Sequence, residues 1–308
     1  MKIVKDINIL PEKDLVLTMG FFDGMHRGHR FLIDHLCETA AAEELGSSLL
    51  TFWPHPRTVL NVAYQPKLLN TIEEKNELLQ QLPIDYCYQI PFTLELSQYS
   101  AFDFMKSVLK EKLRVKHLII GYDHRFGHNR SEGFDDYCEY GRQLDLEVTH
   151  APNFSPDGEH VSSTAIRKLI DLGEVEKAKN LLGYTYSIHG KVEHGKHIGT
   201  TMGFPTANVR PSSINKIIPA EGVYAVRVVV DEKKYDGMAC IGNRPTFEEN
   251  GRETIEVNLF DYNGDLYGKE VEVEFVSFMR NQYKFSSKES LREALEDDKR
   301  KAQDILNA

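Results

Sequence analysis

The chain has 308 residues, of which 41% are hydrophobic and 27% are charged, and its formal net charge at pH 7 is −10. This composition is typical of a globular protein, and the length favours two domains over one. The negative charge argues against a general binder of nucleic acids or anionic membranes, because such binders need a basic field to hold phosphate groups.

The four cysteines are scattered and form no C-x-x-C pair, which predicts reduced thiols rather than a disulfide frame or a zinc knuckle. The first ten residues include charges and lack the apolar core of a signal peptide. No apolar run reaches the roughly 18 residues that a membrane-spanning helix needs. We therefore expect a cytoplasmic protein with no nucleic-acid or membrane partner, and its oligomeric state stays open.

From residue 14 to about residue 183, short β-branched runs alternate with helical patterns. The predicted strands cover residues 15–20, 47–52, 115–121 and 146–151. The predicted helices begin at about Arg27 and then cover residues 71–82, 100–113 (with Ser100 as N-cap), 132–145, 162–173 and 174–183. Such alternation is typical of an α/β fold, in which helices cover both faces of a parallel sheet. Sheets of this kind bind ligands at the carboxyl ends of their strands.

After Gly183 the pattern changes to alternating apolar and polar residues, with turn signals such as "DEKK" at 231–234 and Asn263-Gly264. Regularly spaced short strands of this kind predict a closed or nearly closed antiparallel barrel. A final helix follows, with a capping box predicted at Ser286 and Glu289. The predicted domains are therefore residues 1–184 and residues 185–308.

The stretch "GFFDGMHRGHR" places His26, Gly28 and His29 at the junction of the first strand and the first helix. Unpaired N–H groups and the helix dipole favour an anion at a helix N-terminus. Gly20 and Gly24 would let the backbone approach a ligand closely. Two imidazoles add donors that suit a phosphate group.

On spacing alone, two other interpretations of the histidines stay open. One is a metal site with His55 and Asp123 as conceivable further ligands, although no established metal-ligand spacing is completed. The other is an ordinary turn with two surface histidines. Polar residues at other predicted strand ends and at a helix start favour the phosphate interpretation. They are His55 and Arg57 after the second strand, Asp123 after the third, and Ser162, Ser163, Thr164 and Arg167 at a later helix start.

The segments "GFFDGMHRGH", "TFWPHPR", "GYDHRFG" and "VSSTAIR", in this order, resemble the adenylyltransferase module of bacterial bifunctional riboflavin kinase/FAD synthetases. The resemblance implies a Rossmann-like nucleotidyltransferase domain with ATP over the two histidines and Asp123 near the adenosine. It implies catalytic roles for His26, His29 and Arg167, and a flavin-side role for the loop of His55, Pro56 and Arg57. The implied ATP-binding residues are Gly20, Phe21, Phe22, Asp23, Gly24, His26, Gly28, His29, Asp123, Ser162, Ser163, Thr164 and Arg167. One departure is His124, where the family usually has phenylalanine, and it bears on local packing or an adenine contact.

The stretch "GKHIGTTMGFPTANV" has three glycines at intervals of four: Gly195, Gly199 and Gly203. It is no Walker A loop, because no G-K-[ST] closes it, and a glycine-rich barrel corner is the alternative to a phosphate-binding loop. Thr206 and Asn208 alternate on one side of an extended segment, where their oxygens can hold Mg²⁺ and a phosphate. Glu256 lies on a predicted strand, where a glutamate is normally solvated.

The segments "GFPTAN", "GVYAV", "IGNRPTF", "LFDYNGDLYGK" and "VEFVSFMR" resemble the riboflavin kinase domain, a six-stranded antiparallel barrel with a C-terminal helix. The resemblance implies Thr206 and Asn208 as ligands of Mg²⁺ and phosphate, and Glu256 as the base for the riboflavin hydroxyl. The other residues of the implied ATP/riboflavin site are Gly195, Gly199, Gly203, Pro205 and Arg280. Asn258 stands where histidine is common in the family, and we expect activity to persist because Glu256 is present.

Together the two resemblances imply consecutive reactions. The C-terminal domain would phosphorylate riboflavin with ATP, and the N-terminal domain would transfer an adenylyl group from ATP to the resulting FMN, giving FAD and pyrophosphate. Mg²⁺ is the expected cofactor, ATP is a co-substrate, and the flavins are substrates and products rather than prosthetic groups. The alternatives are an enzyme that retains only the kinase, a non-catalytic flavin-binding or nucleotide-binding regulator, and a different nucleotidyltransferase. The intact site residues argue against the first two, and the fused barrel argues against the third.

Overall fold

The structure, a computed structural model, describes residues 1–61, 66–122, 124–156, 161–193, 204–243 and 253–308. The chain divides into two compact units. The first comprises Met1–Pro66 and Ile72–Val161, and the second comprises Lys67–Thr71 and Ser162–Ala308. The helical residues 162–183 therefore group with the second unit. The domain boundary at residues 184 and 185 stays a prediction, because compactness and the division into sequence domains need not coincide.

The first unit is built on a six-stranded sheet in which every pair of neighbouring strands is parallel. Its order is β1-β4-β3-β2-β5-β6. The strands are β1 Lys2–Val4, β2 Leu15–Met19, β3 Gly46–Phe52, β4 Tyr86–Ile90, β5 Val115–Ile120 and β6 Glu147–His150. The four predicted strands and the parallel sheet are confirmed. The short strands β1 and β4 were not predicted.

Helices cover both faces of this sheet, as predicted. Leu15 and Leu17 of β2 pack into one core with residues of the helices after β4 and β5, whereas Val16 packs with Leu36 and Ala40 of the first helix. The helices are α1 Arg27–Ala42, α2 Pro56–Leu60, α3 Ile72–Gln80, α4 Ala101–Phe104 and α5 Phe134–Leu144, and a π-helical segment, Met105–Lys110, continues α4. Ser100 caps α4 as predicted, because its side chain accepts the Asp103 N–H.

The strand order reverses direction at β2, which lies between β3 and β5. The connection through α1 leads to β3 on one side, whereas the later strands β5 and β6 lie on the other side. Where the order of a parallel sheet reverses, loops diverge and leave a crevice at the carboxyl ends of the strands. The segment that follows β2 therefore occupies the place where such folds bind ligands.

The second unit contains a closed six-stranded barrel in the order β10-β11-β8-β7-β12-β9, in which every neighbouring pair is antiparallel. Asp231 and Glu232, with φ of 49° and 63°, form the tight β9–β10 hairpin predicted at "DEKK". The elements are α6 Ser163–Asp171, α7 Val175–Leu182, β7 Ser187–Glu193, β8 Ala207–Pro211, β9 Gly222–Val230, β10 Lys233–Asn243, β11 Glu253–Leu259, β12 Glu270–Arg280 and α8 Lys288–Asn307. The predicted barrel and C-terminal helix are confirmed.

The cap predicted for the last helix is wrong by one residue. Ser287, rather than Ser286, is the N-cap of α8, and its side chain accepts the Ser290 N–H at 3.1 Å. The Ser290 hydroxyl accepts the Ser287 N–H in return, at 3.2 Å, and so replaces the predicted Glu289 in the capping box. The serine doublet offered two candidate caps, and the shorter serine side chain completes the box.

Gly141 of α5 gives a test of how tightly the helix packs on β6. A Cβ atom at this position would lie 2.4 Å from the Leu146 carbonyl oxygen and 2.7 Å from Val148 Cγ2, whereas one at Gly133 would meet nothing within 4 Å. We expect Gly141→Ala to lower the free energy of unfolding by about 1–3 kcal/mol, because backbone must move to admit the methyl group. Urea denaturation measures this. The control is Gly121→Ala, with an expected change below about 0.5 kcal/mol, because a Cβ atom there would meet nothing nearer than 3.8 Å, whereas Gly133 is the N-cap of α5 and its substitution would also change the cap. Equal stability of the two variants would contradict the close packing.

Candidate functional sites

The segment of residues 20–26, here called the 20–26 loop, connects β2 to α1 and is anchored by its own buried apolar side chains. Phe22 and Met25 are buried in a core cluster with Ile33 of α1. Phe22 and Met25 have positive φ values of 54° and 35°, and Gly24 has 84°. Non-glycine residues in this region are strained, and the strain persists only where packing fixes the backbone. The loop is therefore a rigid support, and Gly20, Phe21 and Asp23 belong to it.

His26 and His29 form one stacked pair at the start of α1. His26 is the N-cap, and its Nδ1 accepts the backbone N–H of His29 at 3.3 Å. The two rings stack with centroids 3.6 Å apart and planes 15° from parallel. A side chain at Gly28 would meet the His26 ring at 3.3 Å, which explains the glycine between the histidines. Both imidazoles thus lie at the positive end of the helix dipole, where anions bind.

Burial and neighbouring charges keep the His29 imidazole uncharged. Burial lowers the pKa of His29 well below its usual range, and the neighbouring His26 and Lys75 lower it further. The imidazole is therefore neutral at pH 7, with one N–H donor and one acceptor nitrogen. Its Nδ1 is buried and has no hydrogen-bond partner among the described residues. A neutral donor close to a helix N-terminus suits an anionic ligand.

The metal interpretation gains no support from the described part of the chain. There, the one group of three side chains able to hold an ion is Glu43, His117 and Glu147, which does not include His26, His29 or His55. Glu43 caps the opposite end of α1. Both ring nitrogens of His117 already make hydrogen bonds of 2.7 Å, to Glu43 and Thr149. Asp123, the other conceivable ligand, lies outside the described residues.

The second predicted loop touches the first through its aromatic groups. His55 is the N-cap of α2, where its Nδ1 accepts the Arg57 N–H at 3.0 Å, and Pro56 opens the helix. The rings of Phe21 and His55 meet edge to face, with centroids 4.3 Å apart. The structure therefore brings the flavin-side candidates next to the 20–26 loop.

His124 follows Asp123 at the end of β5, the strand beside β2. Its Nε2 is buried and has no partner within the described residues. Burial lowers the pKa of His124 to about 4, with a smaller contribution from Arg130. The ring that replaces the family's usual phenylalanine is therefore uncharged at pH 7, like the residue it replaces.

The "VSSTAIR" residues belong to the second unit. Ser162 is the N-cap of α6, where its hydroxyl accepts the Ala165 N–H at 3.3 Å. Ser163, Thr164 and Arg167 follow on the first turns of the helix. Ser162 therefore caps the helix, and the phosphate-binding role of all four residues stays a prediction.

Sequence analysis missed Lys75, which lies against the 20–26 loop. Lys75 of α3 is only 3% exposed. Its Nζ donates to the Phe21 carbonyl oxygen and to Thr51 Oγ1, each at 3.2 Å, and lies 4.7 Å from the centre of the Phe21 ring. In sequence, it is one of several charged residues on an amphipathic helix, which gives no sign of burial.

The predicted residues of the barrel meet across one pair of strands. Asn208 of β8 lies directly opposite Glu256 of β11. Residues opposite each other in an antiparallel pair share a face of the sheet, so the amide and the carboxylate are neighbours. Thr206 lies immediately before β8, and all three side chains are half-buried. The three glycines at 195, 199 and 203 lie outside the described residues.

Asn258 holds the segment that carries Thr206. It is 6% exposed, and its Nδ2 donates to the Pro205 carbonyl oxygen at 2.7 Å. This bond ties β11 to the segment that enters β8. A cavity of about 140 Å³ lies beside it, lined in part by Thr206, Leu259, Asp265 and Tyr267.

Arg280, predicted to bind a ligand, is engaged by the last helix. Its Nε and Nη2 donate to the two carboxylate oxygens of Asp298 at 2.9 and 2.6 Å, and its guanidinium lies 4.6 Å from the Tyr283 ring centre. Bidentate geometry of this kind fixes the plane of the guanidinium. Sequence analysis gave no reason to pair Arg280 with Asp298. The ligand-binding role of Arg280 stays a prediction.

Comparison with known proteins assigns a family description to each part of the chain. Residues 9–165 match the family model described as FAD synthetase, and residues 182–306 match the model described as riboflavin kinase. A Listeria monocytogenes relative named bifunctional riboflavin kinase/FMN adenylyltransferase is 38% identical, over 92% of this chain and 90% of its own length. The Escherichia coli K12 protein of the same name is 35% identical, over 99% of this chain and 98% of its own.

A solved structure is also similar. It comes from Streptococcus pneumoniae, bears the name Macrolide-efflux Protein, and matches with a TM-score of 0.89 at 30% identity, covering 98% of each chain. Neither of the two family descriptions mentions efflux. In the part of this chain that the structure describes, no helix has the length and apolarity to cross a membrane.

The pair of Arg280 and Asp298 allows a test of how α8 is held. The Asp298 side chain is 2% exposed and that of Arg280 is 19% exposed. We expect Asp298→Asn to lower the free energy of unfolding by about 2 kcal/mol or more, because it leaves a largely buried guanidinium without its counter-charge. The control is Glu296→Gln, which removes the exposed i,i+4 pair with Arg292 and should cost below about 0.5 kcal/mol. Denaturant unfolding measures the free energy of unfolding of both variants. Equal losses would contradict a larger contribution from the buried pair.

Proposed function

Because this chain belongs to the family of bifunctional riboflavin kinase/FMN adenylyltransferases, we propose that its two reactions use the two sites described above. The chain is an enzyme that phosphorylates riboflavin to FMN with ATP and transfers an adenylyl group to FMN, giving FAD. Family matches to both parts disfavour a kinase-only enzyme and a non-catalytic regulator.

For adenylyl transfer, the observation that carries the assignment is the stacked pair of His26 and His29 at the N-terminus of α1. The FMN phosphate attacks the α-phosphorus of ATP and pyrophosphate leaves. A phosphate is already anionic near pH 7, so this step requires no general base. The site must instead hold the reactants in line and stabilise the charge that develops on the leaving group. Helix N–H groups and a neutral imidazole donor, preorganised by the rigid 20–26 loop, meet this requirement.

The flavin side of this reaction is assigned to the loop of His55, Pro56 and Arg57. The support is its edge-to-face contact with Phe21, which puts the loop beside the histidine pair. Arg57 offers a cation to the FMN phosphate, and the aromatic groups offer an apolar surface to a ring system. Asp123, Ser162, Ser163, Thr164 and Arg167 stay predicted ATP ligands.

For the kinase step, Glu256 is the proposed general base. The riboflavin hydroxyl is a poor nucleophile, and a carboxylate positioned to accept its proton raises its reactivity as the γ-phosphoryl group transfers. The support is the register of Glu256 opposite Asn208, with Thr206 immediately before β8. The cavity next to Thr206 is the proposed place for part of the ATP molecule.

The donors of the barrel site fit a magnesium ion. A threonine hydroxyl, an asparagine amide oxygen and a carboxylate are all hard oxygen ligands of the kind Mg²⁺ prefers. Thr206 and Asn208 would hold the ion, and it would supply charge neutralisation for the phosphoryl group in transfer. These side chains themselves orient the phosphates relative to Glu256.

Separate variants should separate the two steps. Glu256→Gln should lower riboflavin phosphorylation by about 10²–10⁴-fold, because the base is lost, while leaving conversion of FMN to FAD unchanged. His29→Ala should lower FAD formation by about 10²–10³-fold and leave FMN formation unchanged. Chromatography of flavins formed from riboflavin, or from FMN, with ATP and Mg²⁺ measures both steps.

Matched controls are Glu270→Gln on β12 and His35→Ala, which lies further along α1. Both should behave as wild type, because neither residue lies in a proposed site. If either Glu256→Gln or His29→Ala stopped both steps in a folded protein, the assignment of two separate sites would be wrong.

A further test concerns Asn258. We expect Asn258→Leu to slow phosphorylation about tenfold. The Pro205 carbonyl oxygen would lose its hydrogen-bond donor, and the segment that carries Thr206 would no longer be bonded to β11. Asn258→His should restore most of the rate, since an imidazole N–H can donate to the same oxygen. Steady-state kinetics of FMN formation measures this, and FAD formation from FMN is the internal control. Equal rates for the leucine and histidine variants would contradict this role.

A further inference from the structure

Lys75 is a buried cation that has no role so far in either proposed reaction. Moving an ammonium group out of water is costly unless hydrogen bonds and nearby charges compensate. At 3% exposure, Lys75 has lost nearly all contact with solvent, although α3 has a solvent-facing side. A methionine or leucine would fill such a core position more cheaply, so the charge itself calls for an explanation.

The hydrogen bonds of Lys75 connect three parts of the first unit. Its ammonium, on α3, donates to the carbonyl oxygen of Phe21 in the 20–26 loop and to the hydroxyl of Thr51 in β3. Thr51 in turn donates to the Phe21 carbonyl oxygen, at 3.3 Å. Two donors therefore converge on one backbone oxygen, two residues after the end of β2. Since Phe21 also contacts His55, this oxygen is fixed between the two loops of the site.

The charged and titratable groups that face Lys75 come from three other elements. They are the carboxylate of Asp23 in the loop, the thiol of Cys87 in β4 and the imidazole of His29 in α1. Burial raises the pKa of Cys87 to about 11, so this thiol is neutral at pH 7. The Lys75 charge therefore acts between an acidic residue that balances it and a histidine whose protonation it opposes.

We propose that Lys75 is a positioning residue for adenylyl transfer: its ammonium fixes the Phe21 carbonyl oxygen and thereby the 20–26 loop that supports the histidine pair. The proposal rests on the assignment of adenylyl transfer to this unit. Lys75 touches neither substrate in this scheme and acts through the loop.

The titration of Lys75 separates this role from a purely structural one. Burial lowers the pKa of Lys75 to about 8, although Cys87 and Asp23 act in the opposite direction. The ammonium is present below pH 8 and is lost above it, so the rate of FAD formation should fall as the pH rises through about 8. For stability the sign is opposite. The unfolded chain, with an ordinary lysine pKa near 10.5, binds more protons between pH 8 and 10.5, so this residue's contribution to the free energy of unfolding rises with pH.

The experiment uses the full-length enzyme with Lys75→Met and Lys75→Arg, and Lys106→Met as a control at an exposed lysine. The expected result for Lys75→Met at pH 7 is a loss of about tenfold or more in kcat for FAD formation, with FMN formation unchanged. NMR of ¹³C-labelled histidine should show that the pKa of His29 stays well below its usual range in this variant, because burial and His26 still lower it. Lys75→Arg should keep part of the activity and remove the fall above pH 8, because arginine stays charged.

Three outcomes would overturn the proposal. One is wild-type FAD formation by Lys75→Met. Another is a slow Lys75→Met matched by an equally slow Lys75→Arg that keeps the fall above pH 8, which would show that the charge at this position has no part in the effect. The third needs no variant: a wild-type rate of FAD formation that stays flat from pH 7 to 9.5. A wild-type enzyme that makes FMN but no FAD would refute the proposed function of the first unit, which is a different failure.

Discussion

The proposed site of adenylyl transfer depends on one hydrogen bond, from the backbone N–H of His29 to Nδ1 of His26. In this bond Nδ1 of the His26 imidazole caps α1. The His29 ring stacks on the His26 ring, with centroids 3.6 Å apart. Two stacked imidazoles at the positive end of a helix, near the buried ammonium of Lys75, cannot both take up protons at moderate cost. His29 therefore adds a neutral donor to the helix dipole. That combination can stabilise a departing pyrophosphate without binding it so tightly as to hold it back.

The kinase reaction proposed for the barrel has a different chemical requirement. Phosphorylation of an alcohol needs a base, and β11 supplies Glu256 at a fixed register opposite Asn208. Strand pairing sets the distance between these residues through many backbone bonds, so no flexible loop has to place the carboxylate. Asn258, two residues further along β11, then fixes the segment that enters β8. One strand thus carries both the proposed base and the residue that positions the proposed metal ligand.

The sequence indicated most of the fold, because period-two and helical patterns report which faces are buried. It missed β1, which has only three residues, and β4, whose sequence YCYQI has no clear alternation of apolar and polar residues. The cap of α8 was misplaced by one residue, because two adjacent serines satisfy the same local rule. Motifs in the sequence predict the histidines, Thr206, Asn208 and Glu256 as site residues, whereas no motif indicates the buried Lys75 or Asp298. Their burial depends on contacts between residues far apart in sequence, such as Lys75 with Phe21, and no local pattern encodes such contacts.

The central claim, that one chain performs both reactions in sequence, is tested most directly with doubly labelled ATP. The purified enzyme receives riboflavin as its only flavin, Mg²⁺, and ATP labelled with ³²P at the γ-position and ³³P at the α-position. The account predicts FMN with ³²P alone, followed by FAD with ³²P and ³³P in equal amounts. Accumulation of ³²P-labelled FMN, with no ³³P in any flavin even after long incubation, would contradict it.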